Sequence, residues 1–322
     1  MEKWFGVIGV LLGLATMHPA AHAAPADHQV QHLTVTLLST MLADDGIGEW
    51  GFAALIAADG EKLLVDTGAR PDTVLGNAAE LGIDLTPVHQ VVLTHFHADH
   101  VGGLMTLRKA LAVRDEAALS TAHVATGIFY SRPLAGGGEA NSMIALRPSF
   151  EATGGHFVEH DGMTEIMPGL WLSGPVPRPN LERNWSRSGT VVTPAGEVED
   201  TVPDDQSVII DTPQGLVIIT GCGHAGIVNI LAAVDAKFSH RPVLAIIGGL
   251  HLFAASDAQI EWTAEKMKNS GVRTLIGAHC TGLESLYRLR TLIGLSRETA
   301  VVGAVGASFT LGTGIHPGRI AQ

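Results

Sequence analysis

The chain has 322 residues with a formal net charge of −12, an apolar share of 46% and a charged share of 16%. That length and composition fit one large globular domain or two small ones and exclude a disordered or fibrous chain. The acidic balance disfavours binding to nucleic-acid phosphates unless a local basic patch intervenes, and the densest basic cluster (Arg178, Arg183, Arg187) is interrupted by Glu182.

The N-terminus reads as a secretory signal over residues 1–23. Lys3 supplies the positive start, Trp4 to Met17 is an apolar and small-residue run, and Ala21-His22-Ala23 fits the small-x-small cleavage rule. The run is short for a membrane span. The expected mature chain, one domain over 24–322, therefore begins at Ala24 or Pro25, with Ala24 favoured by that rule, and is periplasmic or secreted, with no membrane attachment after cleavage. His18, His22, His28 and His32 fall in or near the removed segment and are not counted as ligands.

Residues 33–42 alternate apolar and hydroxyl side chains and predict a strand. Segments 52–58 and 62–66 flank Asp59-Gly60 and predict a hairpin. Thr73 to Leu81 predicts a helix closed by Gly82. A strand is expected over 88–94, and Leu104 to Val113 has helical apolar spacing.

Between that strand and helix lies Thr94-His95-Phe96-His97-Ala98-Asp99-His100-Val101-Gly102-Gly103. Three imidazoles and a carboxylate in six positions are a metal-binding composition, suited to zinc and also to manganese or iron. Side chains two apart on an extended segment point the same way, so His95 and His97 can share one ion, while Asp99 and His100 can face a second.

Residues 132–205 read as a loop-rich insertion shaping a pocket, with Gly136-Gly137-Gly138, a Pro-rich run over 174–179 and an acidic stretch from Val198 to Asp205. Trp171, Trp185 and Phe157 are candidates for its apolar wall or for pins that hold the loops. The second half restarts with strands at 207–211 and 216–220, a helix from Gly226 to Phe238, a strand at 243–248 leading to His251, a helix from Ile260 to Ser270, and a strand at 272–276 leading to His279. Strands separated by helices in both halves predict sheets covered by helices.

The histidine-rich motif resembles the signature of the metallo-β-lactamase superfamily. Val65-Asp66-Thr67-Gly68, Thr220-Gly221-Cys222-Gly223-His224 and Gly277-Ala278-His279-Cys280-Thr281-Gly282 are similar to its other landmarks and follow in the expected order. Gly-Cys-Gly-His, Gly-Gly-Leu-His and His-Cys-Thr-Gly narrow the resemblance to the branch of dihydropterin ribofuranosyl-aminobenzene phosphate synthase-like metal-dependent hydrolases.

The resemblance implies an α/β (α+β) αββα sandwich of two mixed sheets flanked by helices. It implies one or two Zn²⁺ ions, with Mn²⁺ or Fe as alternatives, held by His95, His97 and His224 at the first position and by Asp99, His100 and His279 at the second. Asp99 and His251 are the candidate catalytic residues. His251 is open as ligand, proton donor, substrate contact or structural histidine. Asp66 is the candidate second-shell group orienting an imidazole. Arg178 and Arg183 are candidates for reading an anionic substrate group, or are surface arginines.

One position departs from the family pattern. Cys222 stands where most members carry an aspartate that bridges the ions, so Cys222 is a candidate ligand, with Asp204 or Asp205 as alternatives. Cys222 and Cys280 make no disulfide framework; a bridge, free thiols or sulfurs near the metal all remain open.

The expected function is hydrolysis of an ester, lactone, thioester or phosphoester of a small molecule by a metal-activated water. A dihydropterin phosphate synthase-like biosynthetic enzyme and a non-catalytic metal- or ligand-binding protein of the same fold are the alternatives.

Overall fold

The computed structural model describes residues 1–3, 28–182, 184 and 189–321. The expected signal peptide, apart from its first three residues, lies outside the described residues, as do Arg183, Trp185 and Arg187.

Two sheets organise the chain. The first has eight strands in the spatial order Gly314–His316, Ser308–Thr310, Leu33–Ser39, Ala53–Ala58, Glu61–Val65, Gln90–Val92, Thr121–Ala125 and His156–His160. The second has seven, in the order Ala300–Val302, Thr274–Gly277, Val243–Gly248, Gly215–Thr220, Ser207–Thr212, Leu170–Leu172 and Thr164–Met167. Each sheet is mixed. Pairing is parallel from Glu61–Val65 to His156–His160 in the first, and from Gly215–Thr220 to Ala300–Val302 in the second.

The period-2 alternation of strand side chains divides the core into three layers. Val35, Leu37, Val65 and Val92 from the first sheet meet Val208, Ile210, Val217, Ile219 and Ile247 from the second. The intervening residues point outward. Leu64, Val91 and Leu93 pack under helices Thr73–Glu80, Leu104–Ala112 and Ser142–Glu151. Ile209, Ile218 and Ile246 pack under Ile227–Phe238, Asp257–Asn269 and Leu283–Ile293. All six residues of Gly215–Thr220 are buried, because one face meets a sheet and the other a helix. Burial of each such aliphatic side chain stabilises the fold by roughly 1.5–3 kcal/mol.

Most of the expected elements are present with shifted ends. The strand expected over 88–94 is confined to Gln90–Val92. The helix expected from Ile260 begins at Asp257, because the Ser256 hydroxyl accepts the Gln259 N–H at 3.3 Å and caps it.

The larger correction concerns 132–205. This stretch is the crossover between the sheets rather than a loop-rich insertion throughout. Asn141 caps Ser142–Glu151 through the Met143 N–H. His156–His160 then completes one edge of the first sheet, and Thr164–Met167 with Leu170–Leu172 completes one edge of the second. Glycines and polar residues between these short elements hide them in the sequence. Among the described residues, the longer irregular stretches lie at 132–141, 173–182 and 200–206, the last two around a small hairpin of Thr190–Thr193 and Gly196–Glu199. No helix among the described residues is long and apolar enough to cross a membrane.

Candidate metal centre

Parallel strands end together, and the loops leaving their carboxyl ends are where such sheets present chemistry. In the first sheet Asp66 follows Glu61–Val65, and His95 and His97 follow Gln90–Val92. In the second, Cys222 and His224 follow Gly215–Thr220, His251 follows Val243–Gly248, and His279 follows Thr274–Gly277. The two sets of loops face one another across the seam between the sheets.

The six expected ligands converge. Donor atoms of His95, His97 and His224 lie within 4.8 Å of one another, as do those of Asp99, His100 and His279. The ring centroids of His95 and His100 are 4.1 Å apart, so the two triads adjoin. Cys222 joins them: its sulfur groups with His95 and His100, with His279 and Cys280, and with His224 and His251. The Cys222 sulfur is 3.2 Å from His100 Nε2.

Asp204 and Asp205 do not take the bridging place. Asp204 Oδ2 accepts the Phe96 N–H at 2.8 Å and its other oxygen pairs with Arg132. Asp205 Oδ2 accepts the Ala225 N–H at 2.9 Å. Each carboxylate fixes a ligand-bearing loop from behind.

Asp66 is fully buried and orients the site. Its Oδ2 is 2.6 Å from His100 Nδ1 and accepts the Thr94 hydroxyl at 2.7 Å, while Oδ1 accepts the Thr94 N–H at 2.7 Å. Thr94 Oγ1 in turn lies 3.0 Å from His95 Nδ1. One carboxylate thus sets a histidine of each triad, leaving the opposite ring nitrogens for other partners. A Cβ at Gly221 would collide with Thr94 Oγ1 and lie 2.7 Å from Asp66 Oδ2, so this network requires a glycine on the facing loop.

The backbone here is held in uncommon conformations. Asp66, His251 and His279 have φ of 56°, 49° and 46°. Left-handed conformations of non-glycine residues are unfavourable by about 1–2 kcal/mol each and collect at functional sites. The His279 N–H is tied to Thr40 Oγ1 at 3.1 Å, which links the second sheet's ligand to the first sheet.

Electrostatics keep the rings of His95, His97 and His224 neutral, with a nitrogen free to donate, and favour the charged form of His100. Burial, with the neighbouring histidines, holds His95 and His224 well below the ordinary imidazole range. Burial also takes His97 down to about 4. His100 is raised to about 9: burial opposes its charge, but Asp66 and then Asp99 outweigh it. Burial opposes the Asp99 charge too, yet His279, His100 and His97 draw its pKa down.

His224 Nε2 and both ring nitrogens of His279 are buried without a hydrogen-bond partner among the described residues. Asp99 Oδ2 is 3.3 Å from His279 Nε2 but is not aligned as a hydrogen bond. Orphaned imidazole nitrogens beside a carboxylate and a thiol are the donor set of a transition-metal site, and these residues fit one.

Several placements differ from expectation. Arg178 donates to the backbone carbonyls of His224 (3.2 Å) and Val202 (2.9 Å), so it braces the His224 loop rather than projecting into the site. His224 Nδ1 lies 2.5 Å from the Asn184 carbonyl. Trp171 packs on Phe238, and Phe157 on Phe129 and Phe150, so neither lines the site. His251 stands beside His224 with ring centroids 4.4 Å apart. Cys222 and Cys280 are free thiols with sulfurs 3.2 Å apart.

Sequence reasoning missed Arg132, whose guanidinium lies 3.6 Å from the centre of the Phe96 ring and pairs with Asp200 and Asp204. It thereby clamps the residue between His95 and His97. A lone arginine after Tyr130-Ser131 carries no local signal of this.

A four-layer αββα sandwich with a His-x-His-x-Asp-His loop and distant histidines at its open seam defines a class of metal-binding fold. The profile of the metallo-beta-lactamase superfamily matches residues 51–279. The chain belongs to that superfamily.

Among proteins of known name, it is 28% identical over 232 residues to the 7,8-dihydropterin-6-methyl-4-(beta-D-ribofuranosyl)-aminobenzene-5'-phosphate synthase of Methanocaldococcus jannaschii, covering 70% of this chain and 77% of that one. Among solved structures, it is similar to Tm1679, described as a metal-dependent hydrolase of the beta-lactamase superfamily. That match has a TM-score of 0.69 and 26% identity over 86% of this chain and 98% of the other. Zn²⁺-bound PqqB from Methylobacterium extorquens shares the fold at a TM-score of 0.51 and 15% identity, covering 85% of this chain and 99% of that one.

Proposed function

We propose that this protein is a metal-dependent hydrolase acting on an ester, lactone, thioester or phosphoester of a small molecule. The observation that carries the reading is the convergence of two donor triads, His95-His97-His224 and Asp99-His100-His279, on adjoining positions, with His224 Nε2 and both His279 ring nitrogens lacking partners among the described residues.

Zinc is the favoured ion for this nitrogen, oxygen and sulfur donor set, with manganese or iron as alternatives, and Cys222 a further donor. Bound there, such ions supply Lewis acidity and lower the pKa of water. The chain's own residues do the rest. Asp66 and Thr94 fix the rings of His100 and His95. Asp99, with Oδ2 3.3 Å from His279 Nε2, is the anionic member of the second triad and faces the reacting position. His251, half-buried at the rim, is placed to hand a proton to a leaving group.

The test is metal analysis of the purified protein with chelator-sensitive turnover of p-nitrophenyl esters, phosphodiesters and lactones. About two equivalents of metal and a loss of turnover on chelation are expected. Bound metal with no turnover across the panel would favour a non-catalytic binding protein.

The similarity to the Methanocaldococcus jannaschii synthase supports a second reading, a biosynthetic role on a phosphorylated pterin precursor. The secretory pattern of residues 1–23 argues against it, because pathway intermediates are ordinarily cytosolic. We place the mature protein in the periplasm or outside the cell. The mass of the protein recovered from that compartment, expected to begin at Ala24, tests the placement.

A further inference from the structure

Two large aromatic side chains at the mouth of the histidine cluster contribute no donor atom to it. Trp50, just before strand Ala53–Ala58, is 50% exposed, and Phe253, two residues beyond His251, is 53% exposed. Their rings meet edge to face, with centroids 5.8 Å apart and planes at 89°. Both adjoin the site: the Trp50 ring centroid is 4.9 Å from that of His279, and the Phe253 ring centroid is 5.2 Å from that of His251.

Half-exposed rings of this size leave on the order of 100 Å² each in water. A single exposed aromatic is ordinary, but two in contact that begin at a ligand histidine form a continuous apolar corner. The right angle between them defines the guest. A flat ring can stack on one face while turning its edge to the other, which satisfies the aromatic quadrupole twice. A compact aliphatic group gains neither contact.

We propose that Trp50 and Phe253 are a binding corner for a planar aromatic group carried next to the bond that is cleaved. The substrate class is then an aromatic ester, or its thioester or phosphoester counterpart. This inference rests on the hydrolytic reading above.

The experiment uses the metal-replete mature protein with methyl 2-naphthoate and methyl acetate as substrates, and the binding of 2-naphthoate and acetate by calorimetry. In Trp50→Ala and in Phe253→Ala, the ratio of kcat/KM for naphthoate over acetate is expected to fall about tenfold, and 2-naphthoate to bind correspondingly more weakly, with Trp50→Phe restoring most of both. Because Trp50 touches a ligand histidine, Phe253→Ala supplies the independent arm. An unchanged ratio together with unchanged naphthoate binding in both alanine variants would overturn the proposal. If neither these esters nor the p-nitrophenyl ester, phosphodiester and lactone panel is turned over but naphthoate binding still depends on Trp50 and Phe253, the corner stands and the hydrolytic reading fails.

Discussion

Asp66 Oδ2 and His100 Nδ1 lie 2.6 Å apart with both side chains fully buried. The same carboxylate holds Thr94, and through it His95, so the two triads share one anchor. Asp66→Asn keeps the shape but removes the charge and one acceptor. It is expected to weaken metal affinity by about 10–100-fold while leaving the secondary structure intact. Zinc titration with circular dichroism checks both parts; an unaltered affinity would remove Asp66 from the orienting role.

His97 belongs to one triad and His279 to the other. His97→Ala and His279→Ala are therefore each expected to lower the bound metal by about one equivalent and to cut turnover by roughly 100-fold or more, given that loss of a group that only orients a ligand already costs about 10–100-fold. Metal analysis beside kinetics distinguishes this from unfolding, which would remove all of the metal.

Cys222 touches both triads where an aspartate is usual in the family. Cys222→Ala is expected to weaken the second equivalent of metal by roughly tenfold or more, and Cys222→Asp to restore it, because either anion can reach both positions. Equal affinity in all three proteins would show that the sulfur is a bystander. Thiol titration of the denatured protein should count two free thiols, since the sulfurs lie 3.2 Å apart without a bond.

Glu182 is buried at the start of Ile227–Phe238, where Oε2 accepts the Asn229 N–H at 2.9 Å. Burial lifts its carboxyl from 4.5 to about 7. The folded state therefore binds more protons than the unfolded state between those values. The stability from this group is complete below about pH 4.5 and is lost as pH rises through 7. Asp205, raised to about 6 by burial, acts in the same direction. Glu182→Gln removes the first contribution, so the variant should gain on the wild type by up to about 3 kcal/mol between pH 5 and 8. Urea unfolding at both pH values checks the sign; a variant that loses ground with rising pH would contradict it.

The periodic, apolar parts of the chain announced themselves. Val217 and Ile219 face one layer and Ile218 the other, and such strands were legible because burial on both faces demands unbroken aliphatic runs. The His95–His100 motif was legible because ligand chemistry concentrates unusual residues at short spacing. Thr121–Ala125 and Leu170–Leu172 were not: each is short, and its burial is decided by strands distant in sequence. The same holds for Arg132, whose partners Asp200 and Asp204 are more than sixty residues away. Arg178 misled for the opposite reason. A guanidinium near a metal motif suggests an anion, but here two of its N–H groups go to the main-chain carbonyls of His224 and Val202.

Neither of the two triads lies on one leaf of the sandwich. Each triad takes two members from the amino-terminal leaf and one, His224 or His279, from the carboxy-terminal leaf. A cation seated in either triad acts as a rivet through the seam. Full coordination in either triad then needs the leaves closed, and stripping the ion should loosen that seam before it melts either sheet.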